Sequence, residues 1–167
     1  WRVFGKWFER DRGFALADNA QDDWRMGRVG FRADWTPTCE DLVSLQGAWY
    51  RGDSGRRNRF PSRLHSPEFV EVKDQDAQVD GGHLMFHWRR DLGEESDWSL
   101  RVYYGRSEPK WFKSEFSSAR DTYDIDFQHR LPISCCQNRI WGAAYRITQG
   151  RIRNSPPPAG ATILPNV

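Results

Sequence analysis

Several things are scarce in this 167-residue chain, and each absence narrows what it can be. No stretch approaches the roughly 18 consecutive apolar residues a membrane helix requires, so no helix is expected to cross a bilayer. Cysteine is confined to Cys39, Cys135 and Cys136, a spacing that matches no zinc or redox pattern. Adjacent Cys135 and Cys136 would pair only with strain, which leaves free thiols or a bridge to Cys39. An excess of one charge is also missing. The 25 Lys and Arg nearly balance 23 Asp and Glu, for a net +2, and the signs are interleaved rather than gathered into the basic stripe of a nucleic-acid binder. Arg56, Arg57 and Arg59 form a short basic knot, read as a solvated loop. There is no initiator Met and no signal peptide. Trp1-Arg2-Val3-Phe4 reads as mid-strand, so a fragment or processed product is expected.

What is present is aromatic. Hydrophobic residues make up 38% and the mean hydropathy is −0.83, yet aromatics reach 14% with 9 Trp. Disordered chains are polar but lack such rings and β-branched runs, so disorder is excluded. A polar average with many aromatics suits a wall that alternates apolar and polar residues between aromatic girdles.

The dominant pattern is alternation of period two, broken by turn residues. It predicts seven strands: Trp1–Arg10, Trp24–Trp35, Leu42–Gly52, His83–Leu92, Asp97–Arg106, Thr122–Leu131 and Arg139–Thr148. Val29, Phe31, Ala33 and Trp35 share a face in the second, opposite Arg28, Arg32 and Asp34. Val43, Leu45 and Trp49 oppose Ser44, Gln46 and Tyr50 in the third. Similar splits set Leu84, Phe86 and Trp88 against His83, Met85 and His87, and Trp98, Leu100, Val102 and Tyr104 against Ser99, Arg101 and Tyr103. In the last two, Tyr123, Ile125 and Phe127 oppose Asp124, Asp126 and Arg130, and Trp141, Tyr145 and Ile147 oppose Arg146. The first strand is mixed, with Phe4 and Phe8 opposite Val3 and Trp7.

Runs of about ten residues exceed the usual five or six of soluble strands and match a tilted bilayer crossing. The connections alternate in length. Thr36–Asp41, Gly93–Ser96 and Pro132–Asn138 are short, whereas Asp11–Asp23, Asp53–Gly82 and Ser107–Asp121 are long and polar. Trp35 and Trp98 fall at the short-turn ends, and Trp49, Tyr104 and Tyr123 at the long-loop ends, as two interfacial belts would. The fold class expected is all-β: an antiparallel up-and-down transmembrane β-barrel segment, about seven strands of a larger barrel, with short periplasmic turns and long extracellular loops. Residues 1–150 are the partial barrel, and 151–167, with Pro156-Pro157-Pro158, an extracellular loop or truncated tail.

No catalytic constellation emerges, and the chain is read as no enzyme, with no cofactor and no metal. His83 and His87 would stand about 13 Å apart on a strand, too far for a joint metal site. Asp124 and Asp126, about 7 Å apart on one face, suggest a carboxylate pair, but beside Arg130 they read as a charged lumen wall. Nothing marks a nucleophile elbow. Parity makes Arg28, Arg32, Gln46, Tyr50, Arg101, Asp124, Asp126 and Arg146 the lumen-facing candidates; the ligand-binding residues themselves are unknown.

Six segments in order resemble one family. Trp1-Arg2-Val3-Phe4-Gly5-Lys6-Trp7-Phe8-Glu9-Arg10-Asp11 is similar to a strand that opens many TonB-dependent receptor barrels. Gly30-Phe31-Arg32-Ala33-Asp34-Trp35, with Leu45-Gln46-Gly47 and Tyr50-Arg51-Gly52-Asp53-Ser54-Gly55, resembles the next hairpin. Gly81-Gly82-His83-Leu84 leading to Trp88, Asp97–Tyr104, Arg120–Arg130 and Trp141-Gly142-Ala143-Ala144-Tyr145-Arg146 continue the likeness through residue 150 or so. The resemblance implies a barrel of 22 strands with an N-terminal plug and a box that engages the energy-coupling protein. This chain shows neither plug nor box, nor a terminal aromatic strand, and cysteines in the turns depart from the family; a section from the first third of the barrel is implied. The implied function is active uptake of a scarce ligand, such as a ferric siderophore or cobalamin, across the bacterial outer membrane. The implied partners are the TonB energy-coupling complex (through the plug), a small-molecule or metal-chelate ligand and outer-membrane lipid, without nucleic acid. The alternatives are a soluble all-β ligand-binding module, with Val29, Phe31, Leu45, Leu100 and Phe127 meeting in one core, and a passive porin-like barrel.

Overall fold

The computed structural model describes residues 1–13, 22–61, 70–111, 116–134 and 137–154. Its seven strands are β1 (Arg2–Arg10), β2 (Trp24–Trp35), β3 (Asp41–Pro61), β4 (Val70–Gly93), β5 (Ser96–Trp111), β6 (Phe116–Ser134) and β7 (Gln137–Asn154). They form one antiparallel sheet in chain order, each hydrogen-bonded to its neighbours in sequence. Among the described residues β1 and β7 do not pair, so the sheet is not closed.

Three expected boundaries move outward by many residues. β3 continues from Gly52 to Pro61, β4 starts at Val70 instead of His83, and β6 starts at Phe116 instead of Thr122. Most of Asp53–Gly82, read as a loop, is a ladder that pairs Asp53 with Gln78 and runs to Pro61 opposite Val70. The basic knot at Arg56, Arg57 and Arg59 therefore lies in a strand and not in a loop. The reason is physical. Alternation reports one oily face, and backbone pairing continues without it wherever both faces are polar. Similarly, β5 runs to Trp111 and β7 to Asn154, so the tail begins as strand. Residues 155–167, with Pro156-Pro157-Pro158, lie outside the described residues, as do Cys135 and Cys136.

The short end is tighter than expected. Gly93 pairs with Ser96 across Glu94 and Glu95, both left-handed at φ 51° and 62°, the geometry of a two-residue hairpin turn whose twist matches the strands. Cys39 is exposed in the β2–β3 turn as a free thiol.

Register decides the faces, because directly opposed residues in an antiparallel sheet project to the same side. One unbroken row runs Val3, Phe31, Gly47, Leu84, Tyr104, Tyr123, Ile147. The mixed pattern of β1 resolves accordingly: Val3 and Trp7 join the apolar face, and Phe4 and Phe8 join the polar one.

No hydrophobic residue is buried among the described residues. Val29, Phe31, Leu45, Leu100 and Phe127 share one face of a single sheet and do not meet in a core, since among the described residues no second layer lies opposite them. What is buried is Asp41 and the glycines Gly30, Gly47, Gly52, Gly81 and Gly105. Rings lie across three of them on the polar face: Phe4 covers Gly30, Tyr50 covers Gly81, and Tyr103 covers Gly105. A side chain there would occupy the ring's place, which is why the sequence carries glycine mid-strand despite its cost in β-structure.

Candidate functional site

The two faces differ in kind. The apolar face is exposed across the whole sheet, with Trp7 at 66%, Val29 at 53%, Trp35 at 65% and Tyr145 at 64% of full accessibility. Such an area is far beyond the few hundred Å² of apolar patch tolerated on a monomer in water. It carries no Asp, Glu, Lys or Arg between its borders. On β3 the bordering charges are Asp41 and Arg51, and on β4 Arg90 and Asp80, ten residues apart in each case. Ten residues rise about 33 Å, and at a tilt of about 40° that is about 25 Å along a membrane normal, the height of a barrel's apolar band.

The band also slants across the register. The row through Glu9, the first charge past Trp7, runs Arg25, Asp53, Gln78, Lys110, Ser117 and ends at Arg153. On β7 the last apolar residue is Ile147 and polarity returns at Gln149, four residues before Arg153. A belt at constant depth must drift in this way when strands are tilted.

Rings mark the lower border as a chain. Trp88 meets Trp98 edge-on at 4.7 Å, Trp98 lies 6.1 Å from Phe127, and Phe127 lies 5.4 Å from Trp141. The Trp88 indole N–H donates to Asp41 Oδ1 at 2.8 Å, and the Thr38 hydroxyl donates to Oδ2 at 2.7 Å, tying this rim to the β2–β3 turn. Trp49, Tyr104 and Tyr123 were expected at strand ends. They stand mid-strand instead, because the strands run on, but they close the apolar band just before Arg51, Arg106 and Asp121.

Beyond that upper border the same face becomes a charge-balanced lattice. Arg25 pairs with Asp53 at 3.3 Å, Arg51 with Asp80 at 3.6 Å, Lys110 with Asp80 at 3.5 Å, and Arg106 with Glu108 at 3.0 Å. The hydrogen bond from Arg106, with Lys110 nearby, lowers the Glu108 carboxyl below its ordinary value. A depressed folded value means the stabilisation is complete above the free carboxylate value, about 4.3, and is lost as pH falls through the folded value. Glu108→Gln is thus expected to remove a small acid-sensitive component of stability, under about 1 kcal/mol because the pair is solvated. Denaturant titrations of both proteins at pH 7 and pH 3 check this. An equal drop on acidification in both would show that Glu108 contributes nothing.

All eight parity-assigned residues lie on the polar face. Arg32, Gln46, Asp124 and Arg146 fall in one row with Met85 and Tyr103; Arg101 and Asp126 are opposed, and Arg28 opposes Tyr50. Arg146 Nε donates to Asp124 at 2.7 Å, and Arg101 pairs with Asp126 at 3.7 Å. Asp124 and Asp126 therefore each hold an arginine across a strand. His83 and His87 share the face on alternate positions, with His83 stacked 6.0 Å from Tyr103.

This face is cationic. Among the residues whose side chains are described, Arg2, Lys6, Arg10, Arg28, Arg32, Arg89, Arg101, Arg120, Arg130 and Arg146 stand against Asp34, Asp91, Asp97, Asp124 and Asp126, ten against five. Arg120 was missed from sequence because β6 was expected to begin at Thr122, which left it in a loop without parity. Tyr103 and His83 carried the parity signal and were legible. A depression of 560 Å³ opens on this face among Tyr50, His83, Tyr103, Arg101, Arg120 and Arg146.

No protein-family model, no curated protein and no solved structure matches this chain.

Proposed function

We propose that this chain is a wall section of an outer-membrane transport barrel of the TonB-dependent receptor kind. The observation that carries this reading is the apolar band. It is exposed, uncharged, bordered by charges ten residues apart and slanted against the register. Lipid is the medium that such a face suits, and strands are the means of crossing it without helices. The six-segment resemblance in the sequence selects the receptor family among barrels. In this reading the short turns face the periplasm and the extended β3–β4 ladder stands outside the cell.

The wall residues do no chemistry of their own. The cationic face lines the lumen, where it draws anions inward and offers hydrogen-bonding partners to a plug domain. Arg28, Arg32, Gln46 and Tyr50 would contact that plug, whose displacement, driven through the energy-coupling complex, admits a scarce ligand such as a ferric siderophore or cobalamin.

Replacing Arg28 or Arg32 by Gln is expected to leave membrane insertion intact and to reduce uptake. Loss of insertion instead would reject the assignment of these residues to the lumen. Fractionating cells with an antibody against Asp53–Gly82 tests the reading as a whole. The expected product is a heat-modifiable outer-membrane band several times heavier than 19.6 kDa, and a soluble species at that mass would overturn the barrel.

A further inference from the structure

The depression on the polar face is built, and its parts differ from the rest of the wall. One register row crosses its lining, where His83 opposes Gly105 and Gly105 opposes Thr122. Tyr50 lies down over Gly81 and Tyr103 over Gly105, so the rings bank against the sheet instead of filling the space. Tyr103 and His83 stack at an interplanar angle of 23° with centroids 6.0 Å apart, so an aromatic pair flanks the space. Arginines supply the opposite flank. Arg146 and Arg101 are held in place by Asp124 and Asp126. Arg120 lines the same space with no carboxylate partner among the described residues.

Charge separates this place from the other face. In the lattice above the apolar band, Arg25, Arg51, Arg106 and Lys110 each face a carboxylate. Here a guanidinium is left over beside two that are already oriented. A volume of 560 Å³ is that of a small-molecule pocket.

We propose that this depression binds a small anion with a planar conjugated face, an aryl carboxylate in the simplest case. The carboxylate sits on Arg120, steadied by Arg146, and the ring lies against Tyr103 and His83. The proposal rests on the transport reading above and adds to it the chemical class of what the lumen wall accepts. Guanidinium and carboxylate match as a planar, two-pronged pair, and ring stacking supplies the second point of recognition.

The test uses the native protein purified in detergent, with 2-naphthoate as the probe and binding read by calorimetry and naphthoate fluorescence. Saturable binding is expected for 2-naphthoate, with far weaker binding of cyclohexanecarboxylate, which has the charge without the face, and of 2-naphthylmethanol, which has the face without the charge. Arg120→Gln should weaken binding by about tenfold or more, as befits a lost charge-assisted contact. Tyr103→Leu is the independent variant, and it should narrow the preference for the aryl over the cyclohexyl acid. Lys6→Gln, on the same face but away from the depression, should bind as the parent does.

Equal affinity for the three probes, or equal weakening by Arg120→Gln and Lys6→Gln, would overturn the proposal. So would absence of binding, as expected if an acidic side chain from elsewhere in the protein already fills the depression. Heat-modifiable migration is read on each sample in parallel. A protein that migrates as a folded barrel but ignores 2-naphthoate rejects the pocket alone, whereas one that never shows a folded membrane form rejects the transport reading with it.

Discussion

Leu45→Arg is expected to cost about 2–4 kcal/mol of folded stability in a bilayer, the penalty for a cation near the midplane on a lipid-facing position. Leu45 stands on the apolar face between Ala33 of β2 and Phe86 of β4, between the bordering charges Asp41 and Arg51. Its neighbour Gln46 points to the cationic face, in the row of Arg32 and Met85. Gln46→Arg is therefore expected to assemble almost as the parent does. Leu100→Arg and Arg101→Lys repeat the contrast on β5. The folded fraction on unheated gels, together with urea titrations in lipid vesicles, measures both members of each pair. Equal tolerance at both parities would remove the membrane from the explanation, since a sheet wetted on both faces has no reason to tell Leu45 from Gln46.

Gly30→Ala is expected to destabilise the sheet by about 1–3 kcal/mol, the range for overpacking a filled position. A Cβ at Gly30 would lie 2.6 Å from Phe4 Cζ and 2.9 Å from the Gly47 carbonyl oxygen. Phe4 can rotate away; a backbone carbonyl of β3, paired strand to strand with β2, cannot. Phe4→Ala in the same molecule should therefore recover only part of the loss. Gly5→Ala is the matched control, because nothing lies within 4 Å of a Cβ there, and that change is expected to be near neutral or slightly favourable by reducing the freedom of the unfolded chain. Urea midpoints of the four proteins decide the matter. If Gly30→Ala and Gly5→Ala behaved alike, the ring-over-glycine contacts would have no energetic weight.

How far the sequence could be read depended on whether a strand had an oily side. β2 was legible to the residue, since Val29, Phe31, Ala33 and Trp35 alternate with Arg28, Arg32 and Asp34 over its second half. β3 was legible only to Gly52. Past that point Asp53, Ser54 and Arg56 give no apolar beat, and the ladder to Val70 had no local signature. The candidate site followed the same rule. Arg101, Asp124, Asp126 and Arg146 were found because their strands alternate. Arg120 was lost because its stretch of β6 does not.

The sequence by itself determined the strand count, their antiparallel order and the side to which most residues point, because a period of two is a local property of each strand. Only the tertiary structure decided the register. Register is a relation between strands, set by how ladder and turns fit together, and no single strand carries it. From register came the pairing of Arg146 with Asp124, the row of His83, Gly105 and Thr122 in the depression, the rings lying over Gly30 and Gly81, and the slant of the apolar band across seven strands.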